Sequence, residues 1–89
     1  MPRMTLATKA VLRALLANPA TELYGLQLCR LTDQPSGTVS PILARLVQEG
    51  WLASRREDVD PREAGRPVRT YYKLTDKGAS EAREHLNGK

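Results

Sequence analysis

Apolar residues recur at helical spacing in three successive segments of this chain, give way to a strand-like pattern, and return to helical spacing near the end. From Thr5 to Asn18, Val11, Leu12, Leu15 and Leu16 gather on one side, with Thr5 placed to cap the start and Pro19 forbidding continuation. The other side offers Leu6, Ala10, Ala14 and Ala17, which are small enough for a second helix to approach closely or are simply good helix formers. After Pro19-Ala20-Thr21, the stretch Tyr24 to Thr32 predicts a short second helix, with Leu23, Leu26, Leu28, Cys29 and Leu31 available for burial. Asp33-Gln34-Pro35 is a tight polar connection leading into the third segment.

That third segment, Ser36 to Gly50, organises the rest. Val39, Ile42, Leu43, Leu46 and Val47 keep the i, i+3, i+4, i+7, i+8 rhythm of one buried stripe. Ser36 is placed as an N-cap and Gly50 as the left-handed stop. The opposite face, Gly37, Ser40, Pro41, Ala44, Arg45 and Gln48, is small, polar and free of acid. An ordinary solvated face would be richer in Lys and Glu, so this one reads as a face that meets another surface. Two helices joined by a short turn, the second with such a face, make a helix-turn-helix.

Beyond Gly50 the period changes. Trp51 to Glu57 fits a strand, Asp58 to Pro67 has loop composition, and Val68 to Leu74 is β-branched and aromatic enough to be the return strand. Alternation puts Val68, Thr70 and Tyr72 on one face and Arg69, Tyr71 and Lys73 on the other, leaving open which tyrosine is buried. Thr75 then caps a last helix, Asp76 to Leu86, whose apolar positions Ala79, Ala82 and Leu86 are so sparse that it needs a neighbour, in its own domain or another subunit. The fold class expected is mainly α with a β-hairpin wing: a winged helix-turn-helix of three helices, a two-stranded wing and a C-terminal helix, in one domain over residues 1–89.

Composition narrows the chemistry. An aromatic content of 4% with no Phe implies an aliphatic core, and 14 Lys+Arg against 10 Asp+Glu give a net charge of +4, compatible with a polyanionic partner. The segment up to Asn18 holds Arg3, Lys9 and Arg13 and no acid. The wing, 55–73, carries Arg55, Arg56, Arg62, Arg66, Arg69 and Lys73, with Glu57, Asp58, Asp60 and Glu63 confined to its first half. Gly65-Arg66-Pro67-Val68-Arg69 is purely basic, and an arginine beside Gly and Pro can enter a minor groove or clasp phosphates. The alternative is a solvated loop with arginines for solubility. A single Cys29, best read as a small buried hydrophobe, excludes an internal disulfide and a cysteine-based metal site. His85 is the lone histidine, near the C-terminus, so no His-based nucleophile pair or metal cluster is available, and neither an enzyme nor a cofactor is expected. With no signal peptide and no run of about 18 apolar residues, a soluble, cytoplasmic, nucleoid-associated protein is expected.

The chain resembles the PadR-like winged-helix transcriptional regulators. The matching residues are Tyr24-Gly25, the run Ser36 to Leu46, Glu49-Gly50-Trp51-Leu52, Gly65-Arg66-Pro67 and Tyr71-Tyr72-Lys73-Leu74-Thr75-Asp76-Lys77-Gly78. Ser40 stands where that family usually has a tyrosine, and the chain ends soon after its fourth helix, without the longer helical domain many members use to dimerise. The reading is a regulator, expected to be a repressor, that binds double-stranded DNA sequence-specifically. Helix 37–49 would lie in the major groove, with Ser36, Thr38 and Ser40 at phosphates near its N-terminus, Gly37 and Pro41 on the same DNA-binding face, and Arg45 and Gln48 at base edges. Arg66 and Arg69 first, then Arg55, Arg56, Arg62 and Lys73, would serve phosphates or the minor groove. A homodimer through the first and last helices is expected. The competing reading is a winged helix that binds protein instead of DNA. A third is a ligand-sensing repressor in which Trp51 and Tyr71 or Tyr72 line a pocket; those rings otherwise pack between wing and third helix.

Overall fold

The computed structural model describes residues 4–86. Arg3, one of the cations of the acid-free N-terminal segment, lies outside them. Helix α1 (Leu6–Ala17) starts on the Thr5 hydroxyl, which accepts from the Thr8 amide at 3.1 Å, and ends at Asn18 before Pro19. Its Val11, Leu12 and Leu15 are fully buried, as the spacing predicts. Leu28 of α2 (Gly25–Thr32) and Val39, Leu43 and Leu46 of α3 (Ser36–Gln48) meet them in one aliphatic core. Each such buried side chain contributes roughly 1.5–3 kcal/mol relative to exposure, so the three helices are held mainly by this shared interior. Asp33 makes the turn from α2 to α3 in the left-handed conformation, φ 54°, which aspartate tolerates better than most residues.

One expectation at the start of α3 is corrected. Ser36 is its first residue rather than its cap: Pro35, extended at φ −71° and ψ 158°, precedes it and makes no side-chain capping bond. The Pro35 carbonyl accepts from Thr38 and Val39 at 3.0 and 3.1 Å, so the helix opens one residue earlier than the hydroxyl suggested. Pro41 sits inside the helix and leaves the Gly37 carbonyl without its usual donor. Both residues are exposed, so water can satisfy it. The far end closes as expected. Gly50, at φ 81°, donates to the Val47 carbonyl, and Trp51 reaches back to the Leu46 carbonyl at 2.9 Å, the paired bonds of a Schellman stop.

The sheet is larger than the sequence suggested. Strands β2 (Leu52–Arg56) and β3 (Thr70–Leu74) form the expected wing, antiparallel with Leu52 opposite Leu74 and Arg56 opposite Thr70. A two-residue strand, β1 (Leu23–Tyr24), pairs with the other edge of β3, giving the order β1-β3-β2. Tyr24, which helical spacing assigned to the second helix, is therefore the end of a strand and the N-cap of α2. The loop between β2 and β3 also contains one helical turn, α4 (Pro61–Ala64), capped by the Asp60 carboxylate, which accepts from the Arg62 amide at 2.9 Å.

Helix α5 (Asp76–Leu86) finds its neighbour within the domain, packing on α1 through Ala79, Ala82 and Leu86. Thr75 is the hinge of this arrangement. Its hydroxyl accepts from the Gly78 amide at 2.9 Å and donates toward the Gly50 and Trp51 carbonyls at 2.7 and 3.1 Å. The start of α5 is thereby docked on the end of α3, with Lys77 donating to the Glu49 carbonyl at 3.2 Å.

Candidate nucleic-acid interface

The outer face of α3 is presented as its composition implied. Ser36, Gly37, Ser40, Pro41, Ala44, Arg45 and Gln48 are all exposed, and Thr38 is half-buried. Arg45 leans along the helix toward Glu49, 3.7 Å away, an exposed pair that leaves the guanidinium in reach of a partner. With no acid in the first turn, the amide-rich start of α3 favours an anion.

The wing is more internally committed than a count of its arginines implies. Arg66 grips Glu57 with two parallel bonds, 2.6 and 2.8 Å. The same carboxylate accepts from the Arg69 amide at 3.3 Å and, weakly, from the Tyr71 hydroxyl at 3.4 Å. The Arg66 guanidinium, helped by the Arg69 amide, holds the Glu57 carboxyl down to about 2. Arg55 makes a similar fork on Glu22, at 2.9 and 2.6 Å, which lowers the Glu22 carboxyl from its ordinary value.

The outward face of the sheet explains the rest. Arg55 lies over the Tyr71 ring at 5.0 Å, Tyr71 meets Tyr24 edge to face at 5.8 Å, and Arg69 stacks on Tyr24 at 4.1 Å. Register across the three strands puts these side chains together, and each cation–ring contact adds about 0.5–1 kcal/mol at an exposed site. The question of which tyrosine is buried resolves accordingly: Tyr72 packs on the core and Tyr71 belongs to this outer face. Arg56, Arg62 and Lys73 are exposed, with no ion-pair partner within bonding distance among the described residues.

Three contributors were not anticipated. Glu22 and Tyr24 lie ahead of the second helix and reach the wing only because β1 pairs with β3; two residues are too short to show alternation. Glu57 opposes the wing's charge in sequence, yet in space it organises the wing. Trp51, in contrast, is buried, 3% exposed, and stacks on His85 at 5.8 Å between ring centroids. Among the described residues no cluster of His, Cys, Asp and Glu could hold a metal ion, and no helix is long and apolar enough to cross a membrane.

Known proteins share this geometry. The chain is similar to the PcaV transcriptional regulator from Streptomyces coelicolor, solved in complex with its natural ligand, at 27% identity and a TM-score of 0.73, covering 94% of this chain and 53% of that one. Bacillus subtilis PadR in complex with operator DNA matches at 21% identity and a TM-score of 0.73, over 92% of this chain and 48% of that. A mutant MarR from E. coli matches at 24% and 0.74, over 97% and 59%. The chain thus spans about half the length of these regulators, and the winged helix-turn-helix expected from its sequence is the fold it has. No curated protein matches. The profile described as "Transcriptional regulator PadR-like family" matches residues 14–84, and the chain belongs to that family of transcriptional regulators.

Proposed function

We propose that this regulator binds double-stranded DNA sequence-specifically, as a repressor, with α3 in the major groove and the wing on phosphates or in the minor groove. The observation that carries the reading is the exposed, acid-free face of α3 beside a wing whose arginines are held in place. Ser36, Thr38 and Ser40 meet phosphates at the start of the helix, Gly37 and Pro41 share its DNA-facing side, and Arg45 and Gln48 reach base edges, Arg favouring guanine and Gln adenine. On the wing, Arg69, Arg56, Arg62 and Lys73 bring charge that no carboxylate offsets by direct pairing among the described residues. Arg66 and Arg55 bring charge already shared with Glu57 and Glu22, so their larger part is to hold the wing's shape. The protein works in the cytoplasm, associated with the nucleoid, and needs no catalytic chemistry.

We infer a homodimer, as a pseudo-palindromic site would require. The last helix spends its apolar side on α1 of the same chain, so the first helix carries most of the contact: Leu6 is 85% exposed, with Ala10 and Ala17 following it. The decisive experiment selects bound fragments from random DNA and measures their affinity across salt. An enriched motif with two half-sites, lost in Arg45→Ala/Gln48→Ala while nonspecific binding persists, supports the reading. Failure to enrich any motif refutes sequence-specific binding and leaves the protein-interaction reading.

A further inference from the structure

Strand β2 has a neighbour on one side only: the order β1-β3-β2 leaves its far edge without a strand among the described residues. The ladder shows which backbone groups that edge presents. The Thr75 amide donates to the Trp51 carbonyl at 3.0 Å, and the Glu57 amide donates to the Arg69 carbonyl at 2.8 Å. Bonded pairs alternate along an antiparallel ladder, so Ala53 and Arg55 also turn their amides and carbonyls toward β3. Leu52, Ser54 and Arg56 turn theirs outward. Leu52 is buried, but Ala53, Ser54, Arg55 and Arg56 are all exposed, so the open stretch runs from Ser54 to Arg56. Among the described residues no backbone group bonds to the outward amides and carbonyls of Ser54 and Arg56.

An unpaired edge is a template for another strand, and proteins guard it with proline, a bulge, a covering side chain or charge. Strand β2 contains no proline, and its register with β3 runs from Leu52 to Arg56 without a bulge. Ala53 and Ser54 are too small to cover the edge. Arg55 is drawn away across the sheet, forked on Glu22 and lying over Tyr71. Charge is the guard that remains, and it is selective. The strand holds two arginines and no acid, and Arg56 has no ion-pair partner among the described residues. A second copy of β2 laid antiparallel would gather four arginines in one short ladder, where like charges oppose pairing. An acidic strand meets the opposite sign. We propose that the free edge of β2 binds an extended, acidic segment of a partner protein, which joins the sheet as a further strand beside Ser54 and Arg56. Main-chain bonds to those two residues supply the attachment, and carboxylates near Arg56 supply the preference. Strand addition is independent of the proposed DNA binding, although Arg56 belongs to both surfaces, and it is tested without DNA.

The probe is a short peptide of alternating glutamate and threonine, blocked at both ends, titrated into the intact chain at constant ionic strength. In two-dimensional NMR spectra, amide shifts should saturate and centre on Ala53, Ser54, Arg55 and Arg56. Exchange of the Ser54 and Arg56 amides with solvent should slow about tenfold at saturation. Lysine in place of glutamate should abolish binding. N-methylation of the peptide amides that face the edge keeps every charge, yet should weaken binding about tenfold, as loss of the main-chain bonds implies. Arg56→Gln should weaken it about threefold, the measure of an exposed charge pair. Absence of saturable shifts, or shifts centred on α3, would overturn the site. Equal binding of the N-methylated peptide would reduce the contact to charge attraction and overturn strand addition. Equal binding of the lysine peptide would overturn the choice of an acidic partner. So would shifts at Ser54 and Arg56 that grow with protein concentration alone, which would assign the edge to a second copy.

Discussion

A single methyl group at Gly78 should unfold much of what holds α5 in place. A Cβ built there falls 1.9 Å from the Trp51 carbonyl oxygen, 2.7 Å from its carbon and 2.8 Å from its Cα. These are backbone atoms and cannot rotate aside. Restoring an ordinary C···O contact of about 3.3 Å requires α5 to retreat by roughly 1.4 Å. That movement stretches the Thr75 amide bond to the Trp51 carbonyl, now 3.0 Å, and the hydroxyl bonds beside it. It also lifts Ala82, fully buried, off the core. Overpacking costs about 1–3 kcal/mol, and two strained hydrogen bonds add roughly 1 kcal/mol each. Alanine returns about 1 kcal/mol through its better helix propensity, so Gly78→Ala is expected to destabilise by about 2–4 kcal/mol, against a total of roughly 4–13 kcal/mol for a domain of this size. Urea unfolding followed by the fluorescence of Trp51, the single tryptophan, reads the loss directly, and Tm should drop by about 10 °C or more. Gly37→Ala is the internal control, since a Cβ there meets nothing within 4 Å and should gain up to about 1 kcal/mol. If Gly78→Ala behaves like Gly37→Ala, the close docking of α5 on α3 is wrong.

Acid should loosen the wing through Glu57. Its carboxyl lies at about 2 in the folded chain against an ordinary 4.5, so the stability it confers is complete above pH about 4.5 and drains away as pH falls toward about 2. Urea midpoints measured across that window should fall less steeply for Glu57→Gln, with Glu22, lowered in the same sense, supplying the slope that remains; equal slopes refute the assignment. On DNA, Arg56→Ala/Arg62→Ala should reduce the magnitude of the log–log salt slope by roughly 0.9 for each phosphate no longer neutralised, and an unchanged slope removes those two side chains from the interface. Leu6→Glu should convert a dimer to monomer in sedimentation velocity with the fold intact by circular dichroism. A dimer that survives the charge lies elsewhere than on α1.

Helical periodicity carried the three-helix framework because each stripe buries a long, regular run: Val11, Leu12 and Leu15, then Val39, Leu43 and Leu46, reach the interior as spaced. The Gly50 stop and the Thr75 cap were legible because their bonds are local in sequence. What sequence left hidden depends on pairing between distant segments. Strand β1 is two residues long and exists only because β3 offers an edge, so Tyr24 read as helix. Pro35 displaced Ser36 as cap because its carbonyl was already in place, a backbone fact that no side-chain preference shows.

The same limit governed the charges. In sequence, Glu57 dilutes a basic wing; in space it accepts from Arg66, the Arg69 amide and the Tyr71 hydroxyl, and fixes the loop that carries them. Glu22 does likewise for Arg55 from 33 residues away. An arginine so held attracts a phosphate less than a free one, since its carboxylate partner remains beside it. It also loses less on binding, because ordering a mobile side chain at an interface costs about 0.5–1.5 kcal/mol. The wing therefore divides its arginines between those that fix its shape, Arg55 and Arg66, and those left to supply attraction, Arg56 and Arg62. Arg69, stacked on Tyr24 with no carboxylate bound to its guanidinium among the described residues, is both oriented and charged. That combination makes Arg69, more than its neighbour Arg66, the side chain on which wing contact with DNA should turn.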